Sequence, residues 1–130
     1  MATIFSKIIS GEIPCYKIAE DDNFLAFLDI FPLEKGHTLV IPKKEIDYYF
    51  DLDDKTLAEM NVFARKVALA IDRAMPCKRV AVAVLGLEVP HAHMHLIPMN
   101  DLTATNFERQ KLQLEREEFE EIATKIKSCL

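Results

Sequence analysis

The stretch His91-Ala-His-Met-His95 decides how this chain is interpreted, because it places three of the four histidines at strict two-residue spacing. Successive side chains of a β-strand point to opposite faces, so His91, His93 and His95 would share one face of a strand. A helix would instead point His93 away from the other two. Pro90 and Pro98 bracket the segment and mark the predicted ends of that strand. A one-sided row of imidazoles is where we expect the chemistry.

Composition describes an ordinary globular protein of one domain, residues 1–130. Half of the 130 residues are hydrophobic and 28% are charged, which is typical of a packed domain. The net charge of −5 comes without any basic block, so we expect no nucleic-acid partner. The apolar stretches are too short to cross a bilayer, and no membrane partner is expected.

The cysteines and the N-terminus indicate a cytoplasmic protein. Cys15, Cys77 and Cys129 are odd in number and share no metal-type spacing, which favours reduced thiols. The first residues lack the basic-then-apolar pattern of a secretory signal.

Hydrophobic periodicity predicts an α+β fold. Alternating or β-branched runs favour strands, three- and four-residue apolar steps favour helices, and short connections between strands favour antiparallel pairing with the helices on one side. The predicted strands are 16–20, 24–29, 37–42, 79–85 and the histidine segment, with a short helical turn at 5–10 and main helices at 55–75 and about 115–128.

A metal site is the first chemical reading of the histidine row. Alternate residues on a strand are about 6.6 Å apart, so the outer two imidazoles are roughly 13 Å from each other, too far for one zinc ion. Two neighbours together with His37 could still bind a metal. The segment itself contains no carboxylate and no cysteine, however, and we predict no metal ion and no cofactor.

Nucleophilic catalysis fits the row better. A free imidazole has a pKa of about 6.5, so much of it is unprotonated at neutral pH and can attack phosphorus. His93 is the candidate nucleophile, with His91 and His95 as supporting groups that donate hydrogen bonds to phosphoryl oxygens. Neighbouring imidazoles would titrate as a coupled set.

Four segments of the chain resemble the histidine-triad, or HIT, family. His91-Ala-His-Met-His-Leu-Ile97 resembles the family's His-x-His-x-His signature followed by two apolar residues. The segments Ile4–Ile9, Phe24–Ile30 and Gly36–Lys44 resemble, in order, its N-terminal segment, its strand ending in Asp-Ile and the strand carrying its fourth histidine. The resemblance covers roughly residues 3 to 98 and points to a bacterial member.

The resemblance implies a fold and an activity. It implies an antiparallel sheet of about five strands with two main helices, extended across a homodimer. It also implies a nucleotide-binding hydrolase or transferase that acts at the α-phosphate of nucleoside phosphoramidates or related nucleotidyl compounds, with a purine nucleotide or nucleotidyl conjugate as substrate and a covalent histidine intermediate.

The resemblance also assigns roles to individual residues. His93 would attack phosphorus, His91 and His95 would hold and polarise the site, and His37 would orient the triad. Asp29 would accept hydrogen bonds from the ribose hydroxyls. The apolar cleft for the base would consist of Ile4, Phe5, Ile8, Phe27 and Ile30; from the sequence alone core packing explains these residues better, and only the resemblance favours the cleft.

This chain departs from the family pattern just before the triad. Many relatives carry Gly-Gln-Ser-Val there, whereas this chain has Gly86-Leu-Glu-Val89. Leu87 cannot make the contact of the amide, and Glu88 places a carboxylate where substrate binding would have to accommodate it. Thr3 and Ser6 stand where some bacterial relatives bind zinc through cysteines. The long C-terminal helix also differs from relatives whose tail reaches the site.

Two alternatives to the metal-independent hydrolase stay open. A nucleotide-binding regulatory module with little catalytic activity is the first, because Leu87 and Glu88 replace groups that serve the phosphate. A metal-dependent hydrolase is the second.

Overall fold

The computed structural model describes residues 2–130 and confirms the α+β class: three α-helices accompany a five-stranded antiparallel sheet. The regular elements fall close to the predicted bounds, with the histidine segment as the exception. In chain order they are α1 (Ile4–Ile9), β1 (Lys17–Glu20), β2 (Phe24–Leu28), β3 (Thr38–Pro42), α2 (Asp54–Ala74), β4 (Arg79–Ala83), β5 (Met94–Met99) and α3 (Arg116–Lys127).

The strand order β1-β2-β3-β5-β4 brings the functional segments to neighbouring strands. Leu28 lies opposite Thr38 across β2 and β3, so the residues just outside this pair, Asp29 and His37, are neighbours. The amide of Asp29 donates to the carbonyl of His37 at 3.0 Å. On the other side of β3, Leu39 pairs with His95.

One face of the sheet packs against the two main helices. Asp53 caps the N-terminus of α2 with its carboxylate, which accepts from the Thr56 amide at 3.3 Å, and the helix ends at Ala74, shortly before Pro76. Met60 and Ile71 of α2 are fully buried against the sheet. Burying a side chain of this size stabilises the fold by about 1.5–3 kcal/mol. The helices therefore hold the sheet in place by packing on the face opposite the site.

The opposite face carries a smaller apolar cluster and the site. The cluster consists of Phe5, Leu25, Phe27, Leu39 and Ile41. Because side chains alternate along a strand, Asp29 and His37 continue the same face as these residues. The two main helices therefore lie on one side, as predicted, while α1 covers part of the other.

The predicted single strand for the whole histidine row is wrong. β5 begins at Met94, so His91 and His93 lie in the irregular segment before it. Pro98, predicted to end the strand, lies inside it. The reason is that β3 pairs with β5 only as far as Leu96, and beyond that point β5 pairs only with β4. A proline without an N–H is tolerated where one neighbour is missing.

None of the helices within residues 2–130 is long and apolar enough to cross a membrane.

Candidate active site

A cavity of about 370 Å³ opens where β2, β3 and β5 meet the segment before the triad and the chain that follows β5. Most of its polar lining is titratable. Its lining residues include Asp29, His37, Glu88, His93, His95 and Lys111, together with Phe31, Val84, Leu85, Gly86, Leu87 and Phe107. The structure thus brings three of the four predicted histidines and Asp29 together.

His37 and His95 form a directed hydrogen-bond chain. The amide of Leu33 donates to His37 Nδ1 at 3.0 Å, so this nitrogen carries no proton. In the neutral ring the proton is then on Nε2, which donates to His95 Nδ1 at 2.9 Å. His95 in turn carries its proton on Nε2. The chain therefore ends in an N–H donor for which residues 2–130 provide no acceptor.

Both imidazoles of this chain are held neutral. Burial lowers the pKa of His37 to about 3, with further contributions from the positive charges of Lys111 and Arg109. Burial also lowers the pKa of His95 to about 3, and the neighbouring imidazoles of His37 and His93 add to the effect. A neutral pair can keep the single shared proton that the chain requires.

His93 is oriented by the backbone of His91. Its Nδ1 lies 2.8 Å from the His91 carbonyl oxygen, and a carbonyl can only accept, so Nδ1 is the protonated nitrogen. The neutral ring then has a free lone pair on Nε2. The ring packs 5.1 Å from the His95 ring and edge-on to Phe5 at 5.0 Å, which fixes its plane. This is the form of imidazole that a nucleophile needs.

A second cavity of about 610 Å³ shares the His93 side chain with the first. It lies against the segment Val84–Leu87 and is walled by Tyr48 and Phe50, which are both more than half exposed. A group bonded to His93 would therefore have space on two sides of the ring.

His91 is placed differently from the other two members of the triad. Its side chain has no exposed surface and lines neither cavity. Nε2 donates to the Pro42 carbonyl at 2.8 Å, and Nδ1 accepts from the Thr3 hydroxyl at 3.1 Å. The Thr3 oxygen itself accepts from the Ser6 amide at 3.0 Å. Both nitrogens of His91 are used inside the protein, and what it offers to His93 is its backbone carbonyl.

Asp29 brings a carboxylate to the histidines that their own segment lacks. One oxygen accepts from the Phe31 amide at 2.8 Å, and the other lies 3.6 Å from His37 Nε2. One ligand atom each of Asp29, His37 and His95 lies within 4.8 Å of the others, which is close enough to hold a metal ion. The two imidazole nitrogens of this group share a proton, however, and a metal would have to displace it. The absence of a metal remains a prediction.

The five residues predicted to form the apolar cleft lie mainly beside the triad, and Phe5 packs against a triad ring, at 5.0 Å from His93. Phe5 and Phe27 are buried in the cluster behind it, with ring centroids 5.7 Å apart. Ile8 packs against the same cluster, whereas Ile4 and Ile30 are about half exposed. None of the five lines either cavity. Packing between α1 and the sheet accounts for the buried members, and their contact with a base stays a prediction.

Phe107 and Lys111 line the cavity from beyond the triad, and neither was predicted from the sequence. Phe107 lies 4.8 Å from the His95 ring and 6.4 Å from the His37 ring, and Lys111 stands beside it. Both precede α3 in a stretch without periodicity or motif. The C-terminal part of the chain does reach the site, through this stretch and not through the helix.

Comparison with known proteins agrees with this geometry. The HIT domain model matches residues 10–102. A HIT-like protein of Borreliella burgdorferi, described as uncharacterized, is 40% identical over 131 residues, which cover 95% of this chain and 94% of that protein. The adenosine 5'-monophosphoramidase hnt1 of Schizosaccharomyces pombe is 40% identical over 99 residues, covering 75% of this chain and 74% of the relative.

A solved structure extends the match to nearly the whole fold. The crystal structure of a HIT-like protein involved in cell-cycle regulation from Bartonella henselae, with an unknown ligand, has a TM-score of 0.85 and 34% sequence identity. The match covers 98% of this chain and 96% of that one. With its triad, its fourth histidine and this fold, the chain belongs to the HIT domain family of nucleotide-binding proteins.

Proposed function

We propose that this protein is a hydrolase or transferase that acts at the α-phosphate of nucleoside phosphoramidates or related nucleotidyl compounds, through a covalent intermediate on His93. The observation that carries the proposal is the hydrogen bond from His93 Nδ1 to the His91 carbonyl, 2.8 Å long. It leaves the Nε2 lone pair free beside two cavities. The family membership and the phosphoramidase name of the S. pombe relative support the same reaction.

The reaction consists of two displacements at phosphorus. His93 Nε2 forms a bond to the α-phosphorus while the bond from phosphorus to the leaving nitrogen breaks. The leaving amine departs with that electron pair and takes a proton from solvent. Water then attacks the phosphorus, loses a proton to solvent, and the bond to His93 breaks with its electron pair returning to Nε2. One hard hydrolysis is split into two easier steps.

The neutral pair of His37 and His95 stabilises the charge that develops on phosphorus. His95 Nε2–H is the donor at the end of the chain, and a donor held in place before the reaction needs no reorganisation during it. His37 does not touch the substrate in this scheme; it fixes the tautomer of His95.

Asp29 is the proposed contact for the ribose of a purine nucleotide. Its side chain is 18% exposed and lines the cavity, and an ionised carboxylate accepts more hydrogen bonds than the Phe31 amide supplies. The nucleoside then occupies the cavity of Asp29, and the leaving group extends towards Tyr48 and Phe50. We propose no metal ion and no cofactor in this reaction.

We also propose that the protein acts in the cytoplasm as a homodimer, without a nucleic-acid or membrane partner. β4 is an edge strand of the sheet, and Val82 on it is 60% exposed. A second copy that pairs along this edge would extend the sheet and cover Val82. Light scattering at micromolar concentration should give twice the chain mass of 14.9 kDa; a monomer would contradict the dimer.

The test of the reaction is a His93→Ala variant assayed with adenosine 5'-phosphoramidate. Loss of the nucleophile should reduce kcat by at least about 10³-fold. The variant should keep its thermal unfolding transition and its affinity for AMP, which shows that the site is intact. Undiminished turnover by the variant would refute the nucleophilic role.

A binding module with little catalysis is the second candidate, and Glu88 favours it. Glu88 lines the cavity beside His93, and Leu87 is 93% exposed. Neither side chain can donate a hydrogen bond to phosphate, because leucine is apolar and an ionised carboxylate only accepts. Tight AMP binding without turnover of any nucleotidyl substrate would support this alternative. If catalysis is instead limited by the Glu88 charge, Glu88→Ser should increase kcat/KM for anionic leaving groups, whereas the exposed Glu12→Ser should not.

A further inference from the structure

The chain between β5 and α3 lines one side of the active-site cavity through Phe107 and Lys111. We call residues 106–114 the strap. The Arg109 guanidinium donates to the Leu33 carbonyl and pairs with the Glu34 carboxylate, and the Leu112 amide donates to the Pro32 carbonyl at 2.8 Å. These contacts tie the strap to the loop between β2 and β3, which also carries His37. The strap lies outside residues 10–102, the part matched by the family model.

The strap places one cation in the cavity. Lys111 is half-buried, and its Nζ donates to the Phe107 carbonyl at 2.6 Å and lies 6.0 Å from the Phe107 ring centroid. Phe107 in turn packs on the His95 ring. An ammonium has three donors, and one of them is used here, so two can bind a ligand. Within residues 2–130, Lys111 is the single Lys or Arg that lines this cavity.

The cavity needs such a cation if it is to hold a phosphate. Asp29 and Glu88 bring two carboxylates to its wall, and an anionic substrate would be repelled by both. The segment before the triad supplies no side-chain donor, because Leu87 is apolar and an ionised Glu88 only accepts. The positive charge of Lys111 already acts across the site, since it contributes to the lowered pKa of both His37 and His95.

We propose that Lys111 is a substrate-binding residue whose ammonium binds the phosphoryl oxygens of the nucleotide held at His93. This inference rests on the proposed function, and it goes further by assigning phosphate recognition to the strap. Arg109 is then a positioning residue, because it holds the strap and does not itself line the cavity. Lys111 therefore supplies the hydrogen-bond donors to phosphate that Leu87 and Glu88 cannot supply.

The test compares the binding of AMP with that of adenosine, measured by titration calorimetry. Wild type should prefer AMP. Lys111→Met should lose about tenfold or more in AMP affinity, the worth of a charge-assisted hydrogen bond, while adenosine affinity is unchanged. Lys111→Arg should restore most of the preference. The matched control is Lys127→Met on the exposed side of α3, which removes the same charge far from the cavity and should behave as wild type.

Each other result overturns the inference. Unchanged AMP affinity in Lys111→Met would show that Lys111 does not bind the phosphate. Equal losses for AMP and adenosine would show that Lys111 only orders the strap. If the wild type binds adenosine as tightly as AMP, the protein does not recognise the phosphate and the inference is wrong. Turnover is read separately: an AMP preference that depends on Lys111 in a protein that hydrolyses nothing would uphold this inference and refute the hydrolase.

Discussion

His91 and His95 flank His93 at the same distance in sequence, yet the structure places them in opposite kinds of surroundings. His91 has no exposed surface, and both of its ring nitrogens are used by Pro42 and Thr3. His95 lines the cavity, and its Nε2 is free to donate. Identical residues at equal spacing can therefore have different roles: His91 holds the surrounding backbone together, and His95 faces the cavity.

The largest expected effect breaks the His95 side of this comparison. His95→Leu keeps the apolar volume but removes the N–H donor at the end of the chain from His37. We expect kcat to fall by about 10²–10³-fold, the usual effect of losing one donor to a developing negative charge. The Asp29 carboxylate lies 3.6 Å from His37 Nε2 and can accept a hydrogen bond from it after a small side-chain shift, so the loss in stability should be smaller than for His91→Leu. Steady-state kinetics and urea unfolding measure both; unchanged kcat would contradict the assignment.

His91→Leu should give the opposite pattern. The substitution leaves the Thr3 hydroxyl and the Pro42 carbonyl without their partner in a buried place, which should cost about 2–4 kcal/mol in the free energy of unfolding. The carbonyl that orients His93 is part of the backbone and survives any substitution. We therefore expect kcat to change by less than about tenfold at a temperature where the variant is folded. A variant of full stability that has lost turnover would reverse the comparison.

The pH dependence of stability sharpens the comparison further. His37 and His95 have pKa values of about 3 in the folded protein and about 6.5 when unfolded, so the unfolded chain binds more protons between these values. The folded protein has its full stability with respect to these two histidines above pH 6.5, and it loses stability as the pH falls below that value. Between pH 6.5 and 5, each should reduce the free energy of unfolding by about 1.5 kcal/mol.

Urea unfolding at several pH values measures this loss. The upper end of the range lies above the pH at which carboxyl groups titrate, so their protonation does not contribute there. His95→Leu should retain only the share of His37 and so show a shallower decline than wild type. Equal declines in the two proteins would mean that His95 is not held neutral by the fold.

Some of this site could be predicted from sequence, because local patterns carry it. The alternation and apolar steps predicted the strands and the two main helices, and His93, His95, His37 and Asp29 do converge on one cavity. The separate position of His91 could not be predicted, since its partners Thr3 and Pro42 come from distant parts of the chain.

The strap is the part for which the sequence gives no signal. Phe107 and Lys111 reach the histidines because Arg109 is anchored on the loop before β3, a contact between residues about 75 positions apart. The strap has no regular secondary structure, so no hydrophobic periodicity in the sequence predicts its position. Phe5 of α1 and Phe27 of β2 show the reverse case, because sequence resemblance predicted them in the base cleft and the structure packs them in the apolar cluster.

The central claim is that His93, and neither of its neighbours, becomes covalently bonded to phosphorus. The most direct measurement is rapid quenching of wild type during turnover of adenosine 5'-phosphoramidate, at a pH that preserves phosphoramidates, followed by peptide mass spectrometry. We predict an adenylyl group on His93 and on no other histidine. An adenylyl group on His91 or His95, or turnover that proceeds in the His93→Ala variant, would contradict the claim.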